Sequence, residues 1–315
     1  MRLWLYSEGD ASRGMGHLSR CLAYATAWRG QGGTVRWVVD GDAAAQALLA
    51  AQDVVWQAWQ AAPPLPGASD VAIVDSYSAE PAALQRIAAC AARVMYLDDT
   101  ERLDYPAGLV IHAAPGLGGD RGEARWARGP MWQPLRPAFA EVPQRRVLPA
   151  VTRVLVLMGG TDPRGLTPRM VALARKAYPL AQIHAVLGGP AAPAPDNCTV
   201  HRQLDDAAMC AQMLAADLAI SAAGQTVSEL ARCGTPAVLV AVAENQHKQL
   251  REWPVLGTAI AAGWWHDPQL DRQLLAALAA LATPQARAAM ARAGQAAVDG
   301  QGVARALAWL TGATP

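Results

Sequence analysis

The chain has 315 residues, 52% of them hydrophobic and 17% charged, with a formal net charge of +1. At roughly 100–200 residues per domain, this length and apolar content point to two domains with a buried core each. The near-neutral balance excludes a dedicated nucleic-acid or membrane-surface protein, because both need a strong basic field. Along the chain, residues 3–6 read as a strand and lead into a polar loop through Gly14 and Gly16. Leu18, Cys21, Leu22, Ala25 and Trp28 then recur at helical spacing until Gly30. Residues 34–39 form the next strand and 43–51 the next helix. Residues 71–74 are apolar throughout and end at Asp75, the pattern of a parallel strand buried on both faces. Residues 80–93 are helical. Strands follow at 94–97, ending in Asp98-Asp99, and at 109–111.

From about 113 to 150 the periodicity lapses into Gly, Pro and Arg, which reads as a long loop plus an interdomain linker. The rhythm then restarts, with strands at 154–158, 182–187, 218–221 and 237–240. Helices are expected at 166–177, 206–215 and 226–233, and again after Asn245-Gln246. The remainder is mainly helical. Two halves of β-α-β rhythm predict two α/β domains with parallel sheets, divided as 1–145 and 146–315. Cys21, Cys90, Cys198, Cys210 and Cys233 are odd in number and lack CxxC spacing, which suits a reducing cytoplasm. No run approaches the ~20 apolar residues of a membrane span, and the apolar opening is too short for a signal peptide.

Open parallel sheets bind ligands at the carboxyl ends of their strands, so the turns there carry the candidate chemistry. Gly14-Met15-Gly16-His17 lies between the first strand and the first helix, and its glycines permit close backbone approach. His17 falls at a helix N-terminus, whose partial positive charge disfavours imidazolium. The neutral ring is then a candidate general base for water. A helix-capping histidine is the competing reading. Ser221-Ala222-Ala223-Gly224-Gln225-Thr226 is a strand-to-helix turn of small residues, a ready diphosphate site, with Glu229 one turn on for ribose hydroxyls. Gly159-Gly160-Thr161-Asp162 and Glu244-Asn245-Gln246-His247 offer further turns at the same edge, and ordinary tight turns and helix caps are their competing reading. His184 is expected to pack in a strand, His201 and His266 to lie in surface loops, and Trp264-Trp265 to serve packing. No His, Asp or Glu group has metal-ligand spacing, so neither a metal nor a cofactor is expected.

Taken in order, these motifs resemble one family: the nucleotide-sugar hydrolase of pseudaminic acid biosynthesis, related to the MurG-type GT-B glycosyltransferases. The resemblance runs to about residue 265. It is carried by Gly14-Met15-Gly16-His17 with Arg20-Cys21-Leu22, Val74-Asp75-Ser76-Tyr77, Leu97-Asp98-Asp99, and Gly129 through Leu135-Arg136 to Phe139. Met158 to Asp162, Ser221 to Glu229, Gly234-Thr235-Pro236 and Asn245-Gln246 complete it. It implies GT-B architecture, in which two Rossmann-like domains with parallel sheets face across a cleft. It also implies a metal-free release of UDP from a 2,4-diacetamido-trideoxy-hexose by water attack at the anomeric carbon. On this resemblance His17 is the catalytic histidine, Tyr77 the cleft tyrosine and Glu229 the nucleotide-binding glutamate.

Asp98 and Asp99 are expected to position sugar or water. Gly14, Gly16, Gly160, Thr161, Ala223, Gly224, Gln225, Thr226, Asn245 and Gln246 are expected to bind substrate. The chain departs from the family where Tyr6 and Glu8 replace an Arg-x-Asp and where His112 replaces an asparagine, all on the sugar side. The expected partner is a nucleotide-diphosphate sugar, UDP-sugar foremost, acted on by a monomer or weak dimer, with no nucleic acid and no integral membrane segment. The alternative is a glycosyltransferase on the same fold, with a hydroxyl acceptor in place of water. A nucleotide-sugar-binding regulator without catalysis is a third reading, and the presence of His17 argues against it.

Overall fold

The computed structural model describes residues 1–10, 13–116, 118–159, 162, 164–187 and 194–313, with the backbone alone at Asn245. The chain divides into two compact units, Met1–Pro137 with Gly300–Pro315, and Ala138–Asp299.

The first unit contains β1 (Arg2–Gly9), α1 (Gly16–Gly30), β2 (Thr34–Gly41), α2 (Ala43–Leu48), β3 (Val54–Trp56), β4 (Val71–Asp75), α3 (Pro81–Cys90), β5 (Arg93–Leu97), β6 (Leu109–His112) and β7 (Arg125–Arg128). Its seven strands are all parallel, in the order β3-β2-β1-β4-β5-β6-β7. The chain winds outward from β1, crosses back to β4 and winds the other way. That reversal separates the loops leaving β1 and β4 and opens a crevice at the strands' carboxyl ends. Both faces are apolar, as an all-parallel sheet requires. Leu3, Leu5, Ile73 and Met95 face the Leu18, Cys21, Tyr24, Ala25 and Trp28 side of α1, while Tyr6, Val74, Tyr96 and Val110 line the other core. Gly33 leaves room for the buried Trp28 ring, since a Cβ there would come 2.1 Å from Trp28 Nε1.

The second unit contains β8 (Arg153–Leu157), α4 (Thr167–Ala177), β9 (Gln182–Leu187), β10 (Thr199–Arg202), α5 (Asp206–Ala215), β11 (Leu218–Ala222), α6 (Thr226–Cys233), β12 (Ala237–Ala241), α7 (His247–Val255), β13 (Ile260–Trp264), α8 (Leu270–Ala280) and α9 (Pro284–Ala297). Six parallel strands run β10-β9-β8-β11-β12-β13, so the reversal lies between β8 and β11, where Leu157 stands opposite Ser221.

Several expectations shift. The last helix, α10 (Gly302–Thr311), belongs to the first unit, where Ala306, Leu307 and Leu310 enter the core beneath α1 and Arg93 donates to the Trp309 carbonyl at 2.5 Å. The change between units falls at 137/138, against the 145/146 expected, and the second unit ends at Asp299. The segment expected as loop contains β7 and two 3-10 turns, Pro130–Trp132 and Pro137–Phe139. The short strands β3, β10 and β13 were also absent from the sequence expectation. They are three to five residues long and largely half-exposed, so they carry little periodic signal, and pairing with a buried neighbour defines them. His201 therefore lies in β10 rather than in a loop. Among the described residues no single helix is long and apolar enough to cross a membrane.

Candidate active site

The first reversal is built around Asp75, the last residue of β4. A buried carboxylate is costly unless paired, and Asp75 is fully buried. Arg20 supplies a two-pronged partner: Nε donates to Oδ2 and an Nη to Oδ1, both at 2.5 Å. The other Nη of Arg20 donates to Asp99, just after β5. Three residues before Arg20, on the same face of α1, His17 brings Nδ1 to 2.5 Å from Asp75 Oδ1. Burial alone would raise the Asp75 carboxyl, but Arg20 and His17 hold it down to about 2. Burial opposes the charge on Arg20 too, and Asp75 and Asp99 more than restore it.

An ionised carboxylate only accepts hydrogen bonds, so the Asp75-facing Nδ1 of His17 carries the ring proton. Nε2 has no hydrogen-bond partner among the described residues, and in the neutral ring it is the acceptor nitrogen. This is the arrangement in which a carboxylate orients an imidazole for proton abstraction. The ring thus meets Asp75, and the helix cap is Met15, which makes no side-chain cap. Tyr77 packs edge-on against His17, with ring centroids 4.4 Å apart, and its hydroxyl lies 3.5 Å from Asp99 Oδ2. Burial raises the Tyr77 hydroxyl, so it stays protonated as a donor. Tyr77 is 39% exposed and His17 only 7%.

The other sequence-derived residues fall into place around this group. Gly14 adopts φ +79, a left-handed conformation that favours glycine, and its amide closes the loop on the Asp10 carbonyl at 2.8 Å. Gly16 opens α1. Asp98 stands apart from His17's partners: its oxygens accept from the amides of Thr100, Glu101 and Arg102 and from the hydroxyls of Thr100 and Tyr105. It holds the loop after β5, while its neighbour Asp99 reaches Arg20 and Tyr77. Sequence reasoning assigned no role to Asp75 or Arg20. Two signals were available, a charge closing an entirely apolar strand and an arginine one helical turn beyond the histidine.

The second reversal has a different make-up. Ala223 gives its amide to the Val240 carbonyl at 3.0 Å. Gly224 is open: a Cβ there would meet only Gln246 Nε2, at 3.7 Å. Gln246 reaches this turn because its Oε1 accepts from the Val242 amide at 2.9 Å, which turns its amino group outward. Gln225 precedes Thr226, the first residue of α6, and its carbonyl receives the Ser228 hydroxyl at 2.8 Å. Glu229 lies in the first turn of α6 and is 5% exposed. Gly160, Thr161 and the Asn245 side chain lie outside the described residues. Asp162 caps α4 through the Leu166 and Thr167 amides, both at 2.9 Å.

His184 packs against His201 with ring nitrogens 2.9 Å apart, and burial together with Arg153 lowers it to about 4. Trp265 packs on the core and carries Arg164 over its ring at 4.6 Å.

No protein-family model matches the chain, and no curated protein matches it. Solved structures do. MurG of Acinetobacter baumannii superposes with a TM-score of 0.69 at 15% identity, over 99% of this chain and 100% of its own. The fold is GT-B. The calicheamicin glycosyltransferase CalG4 gives a TM-score of 0.64 at 17% identity, covering 99% of this chain and 97% of its own. The spinosyn rhamnosyltransferase SpnG, complexed with thymidine diphosphate, gives 0.63 at 15%, covering 98% and 100%. The GT-B likeness agrees with the MurG side of the sequence resemblance. None of these three structures singles out the pseudaminic acid hydrolase.

Proposed function

We propose that the protein is a GT-B glycosyltransferase that moves a sugar from a nucleotide-diphosphate sugar, a UDP-sugar foremost, to a hydroxyl acceptor. The observation that carries this reading is the His17–Asp75–Arg20 group at the first reversal, on a fold shared with glycosyltransferases. Asp75 holds the Nδ1 proton and orients the ring. Nε2 takes the acceptor hydroxyl's proton as that oxygen attacks the anomeric carbon. The bond from the anomeric carbon to the diphosphate oxygen breaks, and the nucleoside diphosphate leaves with the electron pair. Amides at the N-terminus of α6, around Gly224, Gln225 and Thr226, stabilise the charge on the leaving group. Glu229 is assigned to the ribose, and Gly160, Thr161, Asn245 and Gln246 to the phosphates or sugar. Tyr77 and Asp99 position the reacting partners, and a cytoplasmic setting belongs to the same reading.

Hydrolysis is the second reading, and one observation favours it: His17 is only 7% exposed, an opening that suits a small nucleophile such as water. Incubation with UDP-, TDP-, GDP- and CMP-sugars, with and without a panel of alcohols and free hexoses, separates the two. Nucleotide released only with acceptor, alongside a new glycoside mass, supports transfer. Equal release without acceptor makes the protein a hydrolase, and solvent oxygen-18 then belongs at the anomeric hydroxyl. Release from no donor sinks both readings.

A further inference from the structure

Glu8 lies near the end of β1, on the same face as Tyr6, and is 1% exposed. A carboxylate buried there needs partners, and they come from three separate segments. The Tyr77 amide donates to Oε1 at 2.7 Å. The Ser78 hydroxyl donates to Oε2, as do Gln60 Nε2 at 3.1 Å and an Arg13 Nη at 3.3 Å. Gln60 and Arg13 continue to Asp40 at 2.8 and 3.0 Å, and Arg13 Nε reaches Asp10 at 2.6 Å. Burial alone would raise the Glu8 carboxyl, but Ser78, Gln60 and the Tyr77 amide keep it below the usual range, so it stays an ionised acceptor. Arg13 stands four residues before His17 on the loop entering α1, and Tyr77 stands on the loop leaving β4.

We infer that Glu8 is a positioning residue for the proposed reaction: its carboxylate ties the loop before His17 and the loop bearing Tyr77 to the end of β1, and so sets the edge-on contact between the Tyr77 ring and His17. The inference rests on the reading of His17 as the base. Charge and reach both matter. A glutamine at this place still accepts the Tyr77 amide but turns an amino group toward the donors of Gln60 and Arg13.

A double-mutant cycle on turnover of the nucleotide sugar tests it. Glu8→Ala lowers kcat roughly tenfold to a hundredfold, the range expected when a reacting group is misplaced by about an ångström. UDP affinity is unchanged, and Glu8→Gln falls between Glu8→Ala and the parent. In a Tyr77→Ala background the same Glu8→Ala change lowers kcat by less than about twofold, because its effect passes through Tyr77. Equal losses in both backgrounds overturn the inference, as does full kcat in Glu8→Ala. If Glu8→Ala does not fold, Glu8→Gln runs the same cycle: a loss that shrinks in the Tyr77→Ala background supports the inference, and an equal loss overturns it. Full turnover in both Tyr77→Ala and His17→Leu sinks the base itself, and Glu8's role with it.

Discussion

The two sheets reverse their winding in the same way, yet the two reversals are furnished differently. The first, between β1 and β4, gathers Asp75, Arg20, His17 and Asp99 into one hydrogen-bonded group, with the buried carboxylate of Glu8 held beside it by the Tyr77 amide. The second, between β8 and β11, presents alanine and glycine ahead of a helix, with Gly224 open to its surroundings. On the proposed reading, one topology carries two kinds of chemistry. Paired side-chain charges pre-orient a proton acceptor, whereas a small-residue turn leaves backbone amides to meet an anion. The first kind is costly to bury and has to be satisfied before substrate arrives; the second needs only space.

The sharpest break of this contrast is His17→Leu. General-base catalysis contributes ~10²–10⁴-fold, so kcat should fall by that factor while calorimetry finds UDP affinity intact. A melting temperature that drops while turnover survives would return His17 to a structural role. Glu229→Ala addresses the other reversal. Losing charge-assisted hydrogen bonds costs roughly 1.5–3 kcal/mol, so the UDP Kd should rise at least about tenfold. An unchanged Kd with the fold intact removes Glu229 from the nucleotide.

Gly224→Ala sharpens the same half. The free protein has room for the added Cβ, so the melting temperature should hold. A crowded phosphate contact worth about 1–1.5 kcal/mol should raise the UDP Kd roughly five- to tenfold. Tight UDP binding by this variant would show that no phosphate approaches the turn.

The smallest effect is in stability against pH. Asp75 is held at about 2 in the folded chain, below its ordinary 3.8. A depressed carboxyl contributes stability that is fully present above about pH 4 and is lost as pH falls through about 2. The melting temperature should decline across that window. Asp75→Asn should melt lower at neutral pH, because buried Arg20 loses one of its two carboxylate partners, and should show a flatter acid slope. An identical slope in both proteins would assign the acid sensitivity to other carboxylates.

The β-α rhythm, the parallel sheets and the turns bearing His17 and Gly224 were legible in the sequence, because each is a local property. An apolar run bounded by turn residues marks a strand buried on both faces, and helical spacing marks the face that covers it. β9, α5 and α6 fall where the pattern predicts, at Gln182–Leu187, Asp206–Ala215 and Thr226–Cys233. Tertiary structure alone decided which charges meet. His17 and Asp75 are 58 residues apart in sequence, Arg20 and Asp99 are 79, and α10 returns to the first unit with Arg93 bonding a carbonyl 216 residues on. Periodicity encodes how deeply a residue is buried but not which neighbour it is buried beside. That choice follows from strand order, which is set when non-local pairs close, and it turned a histidine in a glycine turn into an imidazole oriented by a carboxylate.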